Sequence, residues 1–322
     1  MRYIKSLIFV LHVLAIGLPV RSASLFLPVG LEEYRFIYDR AERSEIVGLT
    51  ERLKCTVGPY HYSELPPENP IVKYGRGLHG PRIRPFLFAT EDFRIAKHMR
   101  ADGYECLRGG IMAKPGQRWS IFGNFILDEQ LAKDPDYTGK KWRGLAGEVE
   151  NAWVGYRTDA VDLIFGRFDS FWGPVRRSLI LSSSAVSMDA LSFRVHWGRL
   201  YFTYQAGKLD GERIRGDSGE ILHNRFFAGH RLDFRLVRQL YIGFFETVIY
   251  GGEGRELELA YLNPINFFHA WQINEDADDN TLLGMDFRWY VDGRHKFYGQ
   301  FLFDDFQVDN DRPEDQEPNE TG

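Results

Sequence analysis

Carboxylates, guanidinium groups and aromatic rings are the side chains in this sequence whose types and spacing suggest chemistry. Glu246 and Glu258 are the pair a glycoside-hydrolysing site would need, one carboxyl as acid and the other as base or nucleophile, but nothing in the sequence sets their separation. Asp276, Asp278 and Asp279, next to Glu275, offer oxygen ligands. A calcium site gathers about six to eight oxygens in a defined turn, and EF-hand spacing is absent, so an exposed acidic loop is expected and no metal. Trp271, Phe267, Phe268 and His269 follow Asn263-Pro264. Their faces suit stacking on sugar rings; alternatively, this loop folds inward and packs. No Ser/His/Asp arrangement, zinc-ligand spacing or phosphate-binding glycine loop is present, and Gly251-Gly252-Glu253-Gly254 reads as a turn because no Gly-Lys-Ser/Thr follows. No catalytic residue and no cofactor are expected.

The remaining charges of interest are Arg194, Arg231, Arg235, Asp233, Asp286, Arg288 and Asp304. Each lies in a stretch where apolar and polar residues alternate. Leu191, Phe193, Val195 and Trp197 alternate with Ser192, Arg194 and His196, and Met285, Phe287 and Trp289 with Asp286 and Arg288. A period of two places one greasy and one polar face on a strand. Strands are expected at 83–90, 104–114, 118–128, 142–156, 161–168, 190–197, 200–206, 224–236, 240–250, 280–291 and 296–306.

A water-exposed β-sandwich alternates too. Two features separate the cases. Several stretches run ten residues or more, the roughly nine to eleven that a transmembrane barrel strand needs, where ordinary strands average about five or six. The connections also alternate: short ones at 115–117, 157–160, 198–199, 237–239 and 292–295, long ones at 91–103, 129–141, 169–189, 207–223 and 251–279. Outer-membrane barrels have short periplasmic turns and long outer loops. The fold expected is therefore all-β, an antiparallel outer-membrane β-barrel over 82–306, preceded by a small N-terminal helical module. Charge facing lipid is costly, so the charged face should line the lumen. There it either holds a polysaccharide or forms ion pairs that stiffen the barrel.

The chain ends bear on the compartment. Arg2 and Lys5 precede an apolar run to Pro19, and Val20-Arg21-Ser22 fits cleavage after Ser22, so 1–22 is expected to be a signal peptide; the alternative is an uncleaved anchor. Leu31, Tyr34, Ile37, Tyr38, Ala41, Ile46, Leu49 and Leu53 recur at helical spacing. Prolines at 59, 66, 67 and 70 follow, so 23–81 reads as a periplasmic-side helical module with an extended linker. The two cysteines, Cys55 and Cys106, either form one disulfide in an oxidising compartment or stay unpaired and buried. Residues 307–322 form an acidic polar tail or a truncated outer loop. Bacterial barrels close with an even number of strands, so a sequence that stops within its barrel is expected, unless the strands are miscounted or a second chain completes it. Net charge is −5 with no Lys/Arg run, which argues against a nucleic-acid partner. Mean hydropathy of −0.33 excludes a multi-helix membrane protein but not a barrel.

Several longer patterns stand in a fixed order: Gly166-Arg167-Phe168, Trp172-Gly173-Pro174, Ala228-Gly229-His230-Arg231-Leu232, Glu246 to Gly252, Ala260 to Pro264, and Tyr298 to Phe306. Over 164–306 the chain resembles the Wzi capsule assembly family. The resemblance implies an outer-membrane barrel with a lectin-like role, whose partners are surface polysaccharide and the lipid bilayer of the outer membrane, with no catalytic residues. Polysaccharide-contact candidates on this reading are Arg194, Arg231, Asp233, Arg288, Asp304, Trp271 and His269. The rival functions are a porin or channel, and a secreted carbohydrate-active β-protein.

Overall fold

The computed structural model describes residues 82–95, 101–135, 137, 139–216, 219–275, 277, 279–292, 295–304 and 320–321, together with 38–39, 42 and 57–59. The expected signal peptide, Cys55, Asp276, Asp278, most of the helical module and most of the acidic tail lie outside the described residues. The strands are β1 (Val57–Gly58), β2 (Arg82–Ile95), β3 (Ala101–Lys114), β4 (Trp119–Asp128), β5 (Lys141–Trp142), β6 (Leu145–Arg157), β7 (Val161–Phe168), β8 (Phe171–Trp172), β9 (Met188–Trp197), β10 (Leu200–Gly216), β11 (Gly219–Val237), β12 (Leu240–Gly252), β13 (Asn280–Tyr290), β14 (Lys296–Asp304) and β15 (Glu320–Thr321). Three short helices lie between them: α1 (Glu129–Lys133), α2 (Leu259–Leu262) and α3 (Phe268–Glu275).

One antiparallel sheet runs in order from β2 through β3, β4, β6, β7 and β9 to β14, with β15 added on β14. Among the described residues β2 and β15 are its edges. Each expected strand is present, and the short connections at 115–117, 157–160, 198–199 and 237–239 are turns or bends. At Gly198, φ is +60° in the two-residue link between β9 and β10, a left-handed conformation that primed hairpin turns demand and glycine adopts without strain. Thr158 closes the turn before β7, its Oγ accepting from the Val161 amide at 2.9 Å.

Two of the five expected long loops are instead hairpins. The β10–β11 ladder continues past the apolar pattern to Gly216↔Gly219, with a register shift between Leu209 and Glu212. The β2–β3 ladder likewise reaches Ile95↔Ala101. The tail also contributes to the sheet, Phe303 pairing with Thr321.

The sheet is curled around the segment 169–187. Asn151 on β6 donates to Asp169 at the start of this segment, and Gln300 on β14 donates to Ser178. On a flat sheet β6 and β14 are seven spacings apart, about 34 Å at ~4.8 Å each. The nine-residue step from Asp169 to Ser178 reaches at most about 32 Å when fully extended, and the segment doubles back at the Trp172–Leu181 bridge. The segment therefore marks the concave side.

The two faces are inverted relative to a protein in water. On the concave side Asn124, Asn151, Asp162, Arg194, Thr203, Gln205, Arg231, Asp233, Asp286 and Arg288 are buried. On the convex side Ile111, Phe125, Phe165, Leu191, Val195, Phe244, Trp289 and Phe301 are exposed. Next to the short turns the convex face carries Trp119, Trp197, Trp289 and Phe297, all exposed. No helix among the described residues is long and apolar enough to cross a membrane.

Candidate functional site

The concave face holds its charge in closed groups. Arg231 on β11 is fully buried and forked between two carboxylates. Its Nε and Nη2 donate to Asp233 at 2.9 and 2.6 Å, and its Nη1 and Nη2 to Asp286 at 2.6 and 2.7 Å. Only a planar guanidinium satisfies two carboxylates this way. The facing residue must be small: a Cβ at Gly243, which pairs with both Asp233 and Asp286, would sit 1.9 Å from Arg231 Nη2. Arg288 lies over the Tyr241 ring at 4.4 Å and faces Tyr290 at 5.7 Å. Arg194 donates to Asp162 at 2.6 and 3.0 Å.

Of the expected contact residues, Arg231, Asp233 and Arg288 are thus brought together, and Arg194 lies two strands away on the same face. All four are buried. Their ion pairs and ring contacts make them pillars of the barrel interior. Asp304 stands apart at the end of β14, paired in register with Leu282 and Glu320.

The segment 169–187 fills the interior. Trp172 is completely buried and meets Phe227 edge-on at 6.1 Å. Gln205 donates to Ser170 at 3.0 Å, and Lys296, next to the turn at 292–295, donates to the Pro174 carbonyl at 2.9 Å. The segment therefore descends from the long-loop end to the short-turn end. There it meets the described N-terminal residues: Arg176 pairs with Asp39 at 2.7 Å, Lys296 pairs with Glu42, Tyr38 packs edge-on to Phe171 and β1 pairs with β8.

At the long-loop end the concave face opens as a polar mouth. Glu148, Glu150 and Asn151 of β6, Asp169, and Ser183 to Ser187 line a cavity of about 210 Å³. Arg108 forks onto Glu150 at 2.6 and 2.7 Å, and Asn124 donates to the same carboxylate at 2.5 Å. Ser187 donates to Asp169 at 2.6 Å. The sequence reading did not single out these residues. The serine run after Leu181 was the available signal, but nothing local joins it to carboxylates far away in the chain.

Trp271 and His269 lie elsewhere. Their loop folds neither into solvent nor into the lumen, but back onto the convex face. Tyr261 and Phe268 are buried there among Tyr204, Phe226, Ala228, Val248 and Tyr250, and Trp271 packs edge-on to Tyr261 at 4.8 Å. Glu246 anchors the loop from the sheet. Its carboxylate accepts the Phe268 and His269 amides at 3.1 and 2.8 Å and meets His230 Nε2 at 3.1 Å. Those amides are the unpaired donors of the first turn of α3, where a negative charge is favoured. Glu258 instead pairs with Arg255. Asp279, expected in an exposed acidic loop, is buried and holds both Arg255 and the Tyr261 hydroxyl, the latter at 2.7 Å. The hydrogen bond to Asp279 raises the Arg255 pKa further, and burial, with the adjacent carboxylate, raises that of Tyr261. Cys106 is buried on β3.

A Glu246→Leu variant should release this loop, since two buried amides lose their acceptor at about 1–3 kcal/mol. Limited proteolysis should then cut within 253–279 while the strands stay protected. Unchanged protection would show that the apolar packing alone holds the loop.

Against known proteins, the family model for the capsule assembly protein Wzi matches residues 125–320. The chain is similar in structure to Wzi of Escherichia coli, described as a carbohydrate-binding β-barrel and an outer-membrane protein involved in group 1 capsule assembly. The TM-score is 0.54 at 16% identity, over 88% of this chain and 65% of that one. At this identity the likeness is one of fold. This chain spans about two thirds of the length of that structure. No curated protein matches it in sequence. The match of the family model over more than half of the chain, in the region that forms the barrel wall and its interior segment, establishes that the chain belongs to the Wzi capsule assembly family.

Proposed function

We propose that this protein is an outer-membrane β-barrel that binds and organises capsular or exported polysaccharide at the cell surface, acting by binding and not by catalysis. The inversion of its faces carries the membrane part of the reading. Burial of apolar surface stabilises a protein in water by about 25 cal/mol per Å², so a long sheet with a bare apolar face and a buried charged face is suited to lipid. The exposed tryptophans beside the short turns match an interfacial aromatic girdle. The convex loop fits the same surroundings, because Leu259, Ile265, Phe267 and Ile273 point away from the sheet and are exposed.

The filled interior supports binding over conduction. An interior segment pinned at Asn151, Gln205 and Gln300 occupies space that a porin keeps open to water. The polar mouth at the long-loop end is the surface on which a polymer outside the cell would meet the barrel. The matched Wzi is a carbohydrate-binding protein, and membership of its family supports the same class of ligand here.

The test is retention. Purified full chain in detergent micelles, immobilised, should retain surface polysaccharide from its source cells above an unrelated barrel of similar size. Planar bilayers should show no stable single-channel steps. Stable conductance without retention would replace this reading by a porin. A protein recovered outside the outer-membrane fraction would defeat both.

A further inference from the structure

We infer that the hairpin tip 140–144, between β5 and β6, docks onto phosphate-bearing lipid headgroups of the outer leaflet. This role rests on the outer-membrane reading and adds to it a lipid contact of stated chemistry.

Register fixes the side on which the tip stands. β5 pairs with the start of β6, Trp142 with Leu145 and Lys141 with Ala146. Along β6, Glu148 and Glu150 line the mouth cavity, whereas Val149 is exposed on the other face, paired with Phe125. Side chains alternate along a strand, and cross-strand partners share a face. Gly147, Leu145 and Trp142 therefore lie on the convex face with Val149. Trp142 is 64% exposed there.

Height fixes what it meets. Trp119 marks the short-turn end of the convex face and pairs with Tyr156 on β6. Eleven steps along β6 lead from Tyr156 to Leu145. At about 3.3 Å each they span roughly 36 Å, which a strand tilt of about 40° converts to about 28 Å along the membrane normal. The apolar band of such a barrel is about 25 Å tall, with an aromatic girdle at each edge. Trp142 thus stands at the outer girdle, level with the headgroups and on the lipid side of the wall.

Charge then selects the headgroup. Lys140, Lys141 and Arg143 flank Trp142, and residues 139–145 contain no carboxylate. All three cations are exposed, and among the described residues none of them meets a carboxylate. The Arg143 guanidinium lies 5.0 Å from the centre of the Trp142 ring. A ring contact leaves N–H groups of the fork for a phosphate, which arginine grips with two parallel bonds. The backbone agrees. Arg143 has φ +50° and Gly144 φ +83°, the two left-handed residues of a primed hairpin turn, where asparagine, aspartate or glycine is the rule. Among the described residues Arg143 is the one non-glycine with positive φ. Strained backbone gathers at ligand-binding positions, and here it holds a cation at the tip.

The experiment uses the full chain. In phosphatidylcholine vesicles, the emission lost in Trp142→Phe isolates the Trp142 signal. Lipids brominated near the headgroup should quench that signal more than lipids brominated near the chain ends. In non-ionic micelles, native mass spectrometry should show phosphatidic acid retained in preference to phosphatidylcholine. A triple variant, Lys140→Gln with Lys141→Gln and Arg143→Asn, should weaken that preference by at least about tenfold, since one cation beside an anionic lipid surface is worth roughly a fivefold change. Its unfolding temperature should match wild type, because the three side chains are exposed and asparagine suits the turn. Equal retention of phosphatidic acid by wild type and triple variant would overturn the headgroup contact, as would a Trp142 signal that neither brominated lipid quenches. Displacement of phosphatidic acid by an equal concentration of inorganic phosphate would make the tip a free-anion site and overturn the docking. Loss of polysaccharide retention in the triple variant, with lipid preference unchanged, would assign the tip to the polymer instead. Wild type that folds into no vesicle would bring down the membrane reading itself.

Discussion

An Arg231→Leu variant is expected to lose about 3–5 kcal/mol of stability, the usual cost of removing one partner from a buried ion group. Asp233 and Asp286 would be left facing each other in the barrel interior, each 1% exposed. The two bonds to Asp286 tie β11 to β13 across Gly243, and the two to Asp233 hold the guanidinium in place on β11. Neither carboxylate can reach water without opening the sheet. The loss should appear as a lower unfolding temperature in detergent and as failure to migrate as a compact species before heating. Arg231→Lys should recover little, because an ammonium cannot fork onto both partners. A triple variant that also carries Asp233→Asn and Asp286→Asn should recover much of the loss, since the uncompensated charge is then gone. If the single variant falls within about 0.5 kcal/mol of wild type, the level of an ordinary surface change, the pillar role is wrong.

Phe165→Arg should be nearly as damaging, and its effect distinguishes lipid from water. Phe165 is 63% exposed, and its cross-strand neighbours are Val154 and Leu191. On a protein in water, such a replacement at an exposed site changes stability by about 0.5 kcal/mol at most. On the lipid face of a barrel, arginine near the bilayer midplane costs about 2–4 kcal/mol, falling to about 0–1 near the interface. Trp197→Arg supplies the second depth, because Trp197 is also bare, at 83% exposed, but adjoins the turn at 198–199. Folding into vesicles should be impaired strongly by the first change and weakly by the second. Equal, small effects at both positions would remove the membrane assignment.

The strands were legible in the sequence because the two faces of the wall differ in polarity. An apolar outer face and a packed polar interior impose a period of two on every strand of the wall, so Leu191 to Trp197 and Leu283 to Trp289 announce themselves. Where the apolar face ends, that constraint ends. Lys208 to Arg215 has no greasy face, yet its ladder to 219–223 continues, because backbone hydrogen bonding does not need one. Periodicity therefore marked a loop where the structure has a hairpin.

Glu246 illustrates the other gap. Its neighbours on β12 are apolar on both faces, and the sequence offered it only as half of an acid pair. Its role depends on the amides at 268 and 269, and no local pattern connects those to a residue more than twenty positions earlier. The same holds for Trp271 and His269, whose aromatic character suggested sugar stacking. Of the two arrangements open to that loop in the sequence, the structure shows the packed one, on the convex face.

The sequence by itself determined the wall: which stretches are strands, which face of each is apolar, and at which end the chain turns tightly. These follow from short-range rules, the two-residue period and the chemistry of glycine and polar turns. Only the tertiary structure decided what the wall encloses. The descent of 169–187 through the interior, the fork of Arg231 between Asp233 and Asp286, and the mouth where Asn151 meets the serine arm join residues far apart in the chain. Such groupings depend on the curl of the sheet and on the pairing of buried charges such as Arg231, and both join strands that no single stretch of sequence contains.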